Sequence, residues 1–145
     1  MNTENQNYNF LKLTRQVHKL TKLIHQALEA EIADYDISRL HVPYIKILSM
    51  KEDGVTQKEL TKILDVDKAN TSRAVNDLIK KGYVKKAYQE NLEVNYRLLL
   101  TEKGIVLANK MMKTIENKYV ELFSILGVEE LNEFSDMLER VIGDR

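Results

Sequence analysis

Residues 55–82, VTQKELTKILDVDKANTSRAVNDLIKKG, contain two short helical patterns with almost no chain between them. Thr56 and Glu59 have the spacing of a capping box, in which a hydroxyl and a carboxylate satisfy backbone N–H groups at a helix start. A helix over residues 57–64 is therefore predicted, and a second over residues 68–81. So short a connection favours a helix-turn-helix, in which the second helix enters the major groove of DNA.

The second helix of this pair begins and ends at recognisable residues. Asp67 is a favoured N-cap residue, because its carboxylate can accept from an N–H group of the first turn. Gly82 suits the left-handed position that commonly follows a helix C-terminus. The same arrangement also occurs in helical folds that bind no nucleic acid, where the exposed side of the second helix is only solvated.

The remaining chain predicts a mainly α-helical fold with one small β-hairpin. Val, Tyr and Leu alternate roughly in YVKKAYQENLEVNYRLLLT, on both sides of Gln89, Glu90 and Asn91. Pro43 suits the first turn of a helix, Thr101 is placed to cap another, and Gly127 separates the last two. Besides the central pair, the predicted helices span residues 10–33, 43–50, 101–126 and 129 onward.

Apolar residues recur at helical spacing in the first and last helices as well as in the central pair. We expect them to be buried. They are Phe10, Leu13, Val17, Leu20, Ile24 and Ala27 in the first helix, Leu60, Ile63 and Leu64 in the third, and Leu131, Phe134, Leu138 and Val141 in the last.

The side of the 68–81 helix that points away from Val75 is small and polar. At about 100° per residue, it contains Ala69, Asn70, Arg73, Asn76, Asp77 and Lys80. Arg can pair with the O6 and N7 atoms of guanine, and Asn with the N6 and N7 atoms of adenine. This side therefore has the chemistry needed to contact base edges and phosphates.

Charge is informative only in its distribution, because 22 basic residues balance 22 acidic ones over 145 residues. Residues 66–89 contain six basic side chains against two acidic ones, a local net charge of +4. Absence of cysteine excludes disulfides and thiolate metal sites. With a polar N-terminus and no apolar run of about 20 residues, we expect a cytoplasmic protein with no membrane partner.

No enzyme motif is present, so we expect neither catalysis nor a cofactor. A metal site is not expected either. His18 and His25 are seven residues apart on one helix, roughly 10 Å along its axis, which is too far to share an ion.

Taken in order, these motifs resemble the MarR family (multiple-antibiotic-resistance regulators). The resemblance covers essentially the whole chain. Its matching residues are Pro43, TQKELTKIL, VDKANTSRAVNDLIKKGYV and LLLTEKG. It implies a single domain over residues 1–145, with a winged helix-turn-helix core at about 41–101 and dimerisation helices at about 8–33 and 102–143. It also implies a transcriptional regulator, usually a repressor, that binds a palindromic operator in double-stranded DNA as a homodimer.

The resemblance and the polar side of the 68–81 helix together indicate which residues contact DNA. In the helix-turn-helix these are Thr56, Gln57, Lys68, Asn70, Ser72, Arg73, Asn76 and Lys80, and in the wing Lys85, Lys86 and Arg97. The family's wing usually contains an Asp-Arg-Arg-like run, whereas this sequence has Leu92, Glu93 and Val94. We therefore hypothesise that the wing contributes weakly and that the 68–81 helix determines most specificity.

Family members often respond to small ligands, frequently phenolic or aromatic acids, bound where the first, second and fifth helices meet the DNA-binding lobe. Candidate residues for an aromatic or anionic effector pocket are Arg15, His18, His41 and Tyr44, although a charged stripe on the first helix is commonly only solvated. Two other functions stay open. One is a winged-helix protein-interaction module without sequence-specific DNA binding, and the other is a ligand-binding protein with a vestigial DNA motif.

Overall fold

The computed structural model describes residues 8–88 and 96–144. Within them the chain forms six helices and one two-stranded antiparallel sheet, which confirms the predicted fold class. The helices are α1 (Phe10–Ile32), α2 (Val42–Met50), α3 (Gln57–Leu64), α4 (Lys68–Lys80), α5 (Glu102–Phe123) and α6 (Val128–Ile142), and the strands are β1 (Val84–Tyr88) and β2 (Tyr96–Leu100).

Local capping signals determine where the central helices begin. The Thr56 backbone N–H donates to Glu59 Oε2 at 2.9 Å, and the Glu59 N–H donates to Thr56 Oγ1 at 3.1 Å. Asp67 Oδ1 accepts from the Asn70 N–H at 2.7 Å and so caps α4. Each of these bonds satisfies an N–H group that the helix itself leaves free.

Two left-handed residues shape the ends of the pair. Asp65 has φ of 51° and makes the turn between α3 and α4, and Gly82 has the predicted left-handed conformation with φ of 85°. Asp is one of the few residues other than glycine that adopts this conformation readily. The three residues between α3 and α4 are therefore enough to reverse the chain.

Helix α4 is held in place by a hydrophobic core to which the neighbouring helices also contribute. Val75 and Leu78 of α4 are fully buried, as are Leu60 of α3, Ile45 of α2 and Leu107 of α5. Burying a side chain of this size stabilises a fold by about 1.5–3 kcal/mol. Because apolar residues of α4 point into this core, its opposite side is presented outward.

The hairpin is hydrogen-bonded to the segment that precedes the helix-turn-helix. Val84 pairs with Leu100 and Tyr88 with Tyr96, and Val55 exchanges two backbone hydrogen bonds with Leu98, at 3.0 and 2.8 Å. This bridge attaches the segment before α3 to β2. The wing strands and the first helix of the pair therefore form one rigid unit.

The predicted burial is wrong for Ile63, and the apolar residues of the terminal helices, which the resemblance assigns to a dimer interface, are largely exposed in a single chain. Ile63 is 53% exposed, because α2 and α4 cover the two-turn helix α3 on the side of Leu60. α1 packs on α5, but Phe10, Leu13 and Val17 are exposed, and α6 has no buried residue at all. In one chain Leu138 is 44% exposed and Val141 is 72% exposed.

The ends of the last two helices also differ from the prediction. α5 ends at Phe123, three residues before the predicted end, and α6 begins at Val128. The Gly127 N–H donates to Glu130 Oε1 at 3.2 Å. This bond satisfies a free donor and places the start of α6 directly after the glycine.

Candidate nucleic-acid interface

The outward side of α4 brings together most of the residues predicted to read DNA. Thr71, Val75 and Leu78 point inward and are fully buried. Ser72 is half-buried, and the fully exposed members are Lys68, Asn70, Arg73, Asn76 and Lys80. Amide, guanidinium and ammonium groups thus lie along one side of a helix of 13 residues.

Several of these side chains bond to each other along the helix. An Nη2–H group of Arg73 donates to Asn70 Oδ1, and Asn76 Nδ2 donates to Ser72 Oγ at 3.5 Å. Residues three and four apart are neighbours on a helix surface, so these contacts are local. They order the side chains while leaving the remaining guanidinium N–H groups of Arg73 available.

Asp77 was expected on this exposed side, but it points sideways towards α2 and is half-buried. Its Oδ2 lies 3.0 Å from Lys81 Nζ and 2.7 Å from His41 Nε2. The hydrogen bond from Lys81 lowers the pKa of Asp77, and the same bond raises the pKa of Lys81. The only acidic side chain within α4 is therefore paired with a cation.

The N-terminus of α3 presents Thr56 and Gln57, both half-buried. The capping box engages the N–H groups of Thr56 and Glu59. The N–H groups of Gln57 and Lys58 belong to the first turn, where a helix provides no partner for them. Such N–H groups, together with the helix dipole, suit a phosphate oxygen.

The wing residues predicted to contact DNA differ in their surroundings. Lys85 and Lys86 are exposed, and Lys86 Nζ lies 4.5 Å from the centre of the Tyr96 ring. Arg97 instead points back into the domain, donating to the backbone oxygens of Asp53 at 3.1 Å and Gly54 at 2.9 Å. The atypical wing positions Leu92, Glu93 and Val94, together with Glu90, lie outside the described residues.

The four candidate effector residues do not share one cavity. His41 and Tyr44 line a cavity of about 810 Å³ between the start of α2 and the side of α4. His18 lines a separate cleft of about 460 Å³ on α1, together with His25. Arg15 is exposed on α1 and lines neither of them.

The larger cavity extends onto the outward side of α4. Asn70, Arg73, Asn76 and Lys80 contribute to its wall. Sequence reasoning missed this overlap, because it depends on the position of the 38–44 segment beside α4. A molecule in this cavity would contact residues that the sequence assigns to DNA.

Residues 8–88 and 96–144 contain neither a metal-binding cluster nor a membrane-spanning helix. No group of three or more His, Asp or Glu side chains there is arranged to bind a metal ion. No helix in these ranges is sufficiently long and apolar to cross a bilayer.

Comparison with known proteins agrees with this architecture. The sequence model of the MarR family matches residues 35–90, which contain α2, α3, α4 and β1. The chain is 23% identical over 129 residues to YybA, an uncharacterized HTH-type transcriptional regulator of Bacillus subtilis, with 89% of this chain and 85% of the relative covered.

Solved structures extend the similarity to the terminal helices. A MarR transcriptional regulator from Methanosarcina mazei superposes with a TM-score of 0.74 at 28% identity, covering 90% of this chain and 93% of that one. MepR of Staphylococcus aureus, solved with ethidium bromide bound, gives a TM-score of 0.65 at 21% identity, covering 94% and 96%. The whole arrangement, including α1, α5 and α6, is thus one that known regulators adopt.

Proposed function

We propose that this chain, which resembles the MarR family of DNA-binding transcriptional regulators in sequence and fold, represses transcription by binding a palindromic operator as a homodimer. The observation that carries this proposal is the set of polar side chains exposed on the outward side of α4. Its exposed Asn70, Arg73 and Asn76 are supported from behind by the fully buried Val75 and Leu78. Side chains of this chemistry, on a helix held rigidly by the core, suit base contacts in the major groove.

We propose that α1, α5 and α6 form the dimer interface, within residues of about 8–33 and 102–143. The exposed apolar side chains of α6 support this proposal, because an amphipathic helix is stable when another surface covers its apolar side. Val128, Met137, Leu138, Val141 and Ile142 are each 44% exposed or more. A second copy would cover them and set the distance between the two recognition helices.

Twofold symmetry determines the form of the operator. Two recognition helices related by such an axis bind half-sites about one helical turn of DNA apart, roughly 34 Å. Selection of bound duplexes from a random pool should therefore enrich a palindrome with this spacing. Enrichment of no sequence at all would contradict the proposal and favour a protein-interaction module.

We expect Arg73→Ala to weaken operator binding by about 1–3 kcal/mol, because a bidentate contact to guanine is lost. Preference for the base pair it contacts should be relaxed as well. Fluorescence anisotropy with the selected operator and with single-base variants measures both effects. Lys46→Ala removes an exposed basic residue of α2, outside the proposed DNA contacts and the proposed dimer helices, and serves as the matched control.

Salt dependence separates DNA binding from a protein-interaction role. If lysines and arginines of the interface neutralise phosphates, the logarithm of the affinity falls linearly with the logarithm of the salt concentration. A wild-type affinity that is independent of salt would exclude the proposed phosphate contacts, and an Arg73→Ala affinity equal to that of Lys46→Ala would remove Arg73 from the site.

We further propose that an aromatic anion binding in the 810 Å³ cavity releases the operator. Arg73 and Lys80 bring positive charge to this cavity, as does Arg39, although its Nη1 also lies 3.2 Å from Glu29 Oε1, and the one carboxylate of the cavity, Asp77, is paired with Lys81. An anion is therefore favoured over a cation such as the ethidium bound by MepR. Because Arg73 would contact both ligand and DNA, the two would compete directly.

Calorimetry with 2-naphthoate as a probe tests this competition. We expect binding to the free protein and an apparent affinity that falls as operator is added. Arg39→Ala should weaken naphthoate binding about tenfold, the value of one charge-assisted hydrogen bond, and leave operator binding unchanged. Lys46→Ala, an exposed residue of α2 outside the cavity, is the control. Equal naphthoate affinity with and without operator would exclude direct competition.

A further inference from the structure

His41 and Asp77 connect the start of α2 to the side of the recognition helix. His41 Nε2 lies 2.7 Å from Asp77 Oδ2, and His41 Nδ1 accepts from the Ser38 backbone N–H at 2.9 Å. The imidazole is 11% exposed, so water competes little for either nitrogen. Both ring nitrogens of His41 are thus engaged, each by a different segment of the chain.

The contact with Ser38 determines which nitrogen carries the proton. A backbone N–H can only donate, so Nδ1 must act as the acceptor. In the neutral imidazole the single N–H group is then at Nε2, where it points to the carboxylate of Asp77. The 38–41 turn therefore orients a hydrogen-bond donor towards α4.

Asp77 lies beside two residues that are proposed to contact DNA. It directly follows Asn76, and it is one helical turn from Arg73. A carboxylate directed outward from this part of α4 would repel the phosphates. His41 and Lys81 instead hold it against α2, and Lys81 Nζ is also within 3.7 Å of Asp36.

We infer that His41 is a positioning residue for operator recognition. Its Nε2–H bond to Asp77 fixes the C-terminal half of α4 against α2 and keeps the carboxylate away from the DNA. This inference rests on the proposed function, because it assumes that α4 reads bases. It assigns to His41 a role distinct from effector binding, and it requires no contact between His41 and DNA.

Variants that keep the hydrogen bond of one ring nitrogen of His41 and remove that of the other test this positioning role. His41→Phe keeps an aromatic ring but removes the donor to Asp77. His41→Gln keeps an N–H group near the position of Nε2, whereas the shorter His41→Asn reaches Ser38 but not Asp77. The affinities of each for the selected operator, and for a scrambled duplex of equal length, are measured at one salt concentration.

We expect His41→Phe and His41→Asn to lose about tenfold in affinity for the operator, of the order of one hydrogen bond to a charged group. Affinity for the scrambled duplex should not change, since it depends on phosphate contacts that remain. His41→Gln should recover most of the loss. Lys46→Ala, an exposed residue of α2 that lies outside the cavity, is the control.

A second measurement does not depend on DNA. Long-range 1H–15N correlation of the wild-type protein at alkaline pH reports the tautomer of each of its three histidines, and His41→Gln assigns the signal of His41. We expect the Nε2–H form. If His41→Phe fails to fold, the comparison of His41→Asn with His41→Gln still decides the question.

The possible failures are distinguishable. An Nδ1–H tautomer, or operator affinities of His41→Asn and His41→Gln that are equal, would overturn the role of His41 alone. If the wild-type protein selects no operator, the proposed function is overturned together with this role.

Discussion

A glutamate in place of Leu138 is expected to leave the chain monomeric and to weaken operator binding by at least about 100-fold. Leu138 lies on the apolar side of α6 and is 44% exposed in a single chain. Transferring a carboxylate into an apolar interface is costly unless it is paired. Loss of the dimer also removes the gain from linking two half-site contacts, which is about 10²–10⁴ in affinity.

Sedimentation equilibrium and titration of the operator measure the two effects on the same sample. Asn132→Glu is the matched control, because it adds the same charge to the same helix on its exposed polar side. We expect that variant to remain dimeric and to bind the operator normally. A Leu138→Glu protein that stays dimeric with unchanged affinity would exclude α6 from the interface.

Gly104→Ala is expected to reduce the free energy of unfolding by more than about 4 kcal/mol, at the extreme of single substitutions. A Cβ atom at Gly104 would lie 2.1 Å from the backbone oxygen of Tyr83. That oxygen cannot move freely, since it accepts from the Thr101 N–H at 3.0 Å. The side chain of Tyr83 is itself buried.

Urea unfolding followed by circular dichroism gives the free-energy difference. Gly127→Ala is the control, because the nearest atom to a Cβ there is Glu130 Oε1 at an ordinary 3.7 Å. Loss of a glycine N-cap should change stability by about 1 kcal/mol or less. If Gly104→Ala were as stable as Gly127→Ala, the close contact between α5 and the start of β1 would be wrong.

The sequence was most informative where a structure depends on residues three or four apart. Thr56 with Glu59, Asp67 with Asn70, and Thr101 with Gly104 all form the predicted caps. Each of these bonds acts within one helical turn, so the residue types and their spacing contain the whole signal. The bounds of α3 and α4 could therefore be predicted to within one residue.

Contacts between distant segments could not be predicted in this way. Gly104 has no distinctive sequence signal, because its importance arises only where α5 crosses the backbone at Tyr83. Likewise, the sequence does not show that Arg97 bonds to Asp53 and Gly54, more than 40 residues earlier, and its contact with DNA stays a prediction. A helical wheel placed Asp77 outward, since it cannot show the neighbouring His41.

The contact between Arg73 and Asn70 has a consequence for how an operator sequence is read. In the unbound protein one N–H group of Arg73 donates to Asn70 Oδ1, so a base that engages either of these two atoms releases the other. If both residues contact bases as proposed, their contributions are then coupled. Substitutions in the two base pairs that Arg73 and Asn70 contact should then have energetic effects that do not add. A scoring matrix that treats base pairs as independent would misjudge the affinity of this part of the operator.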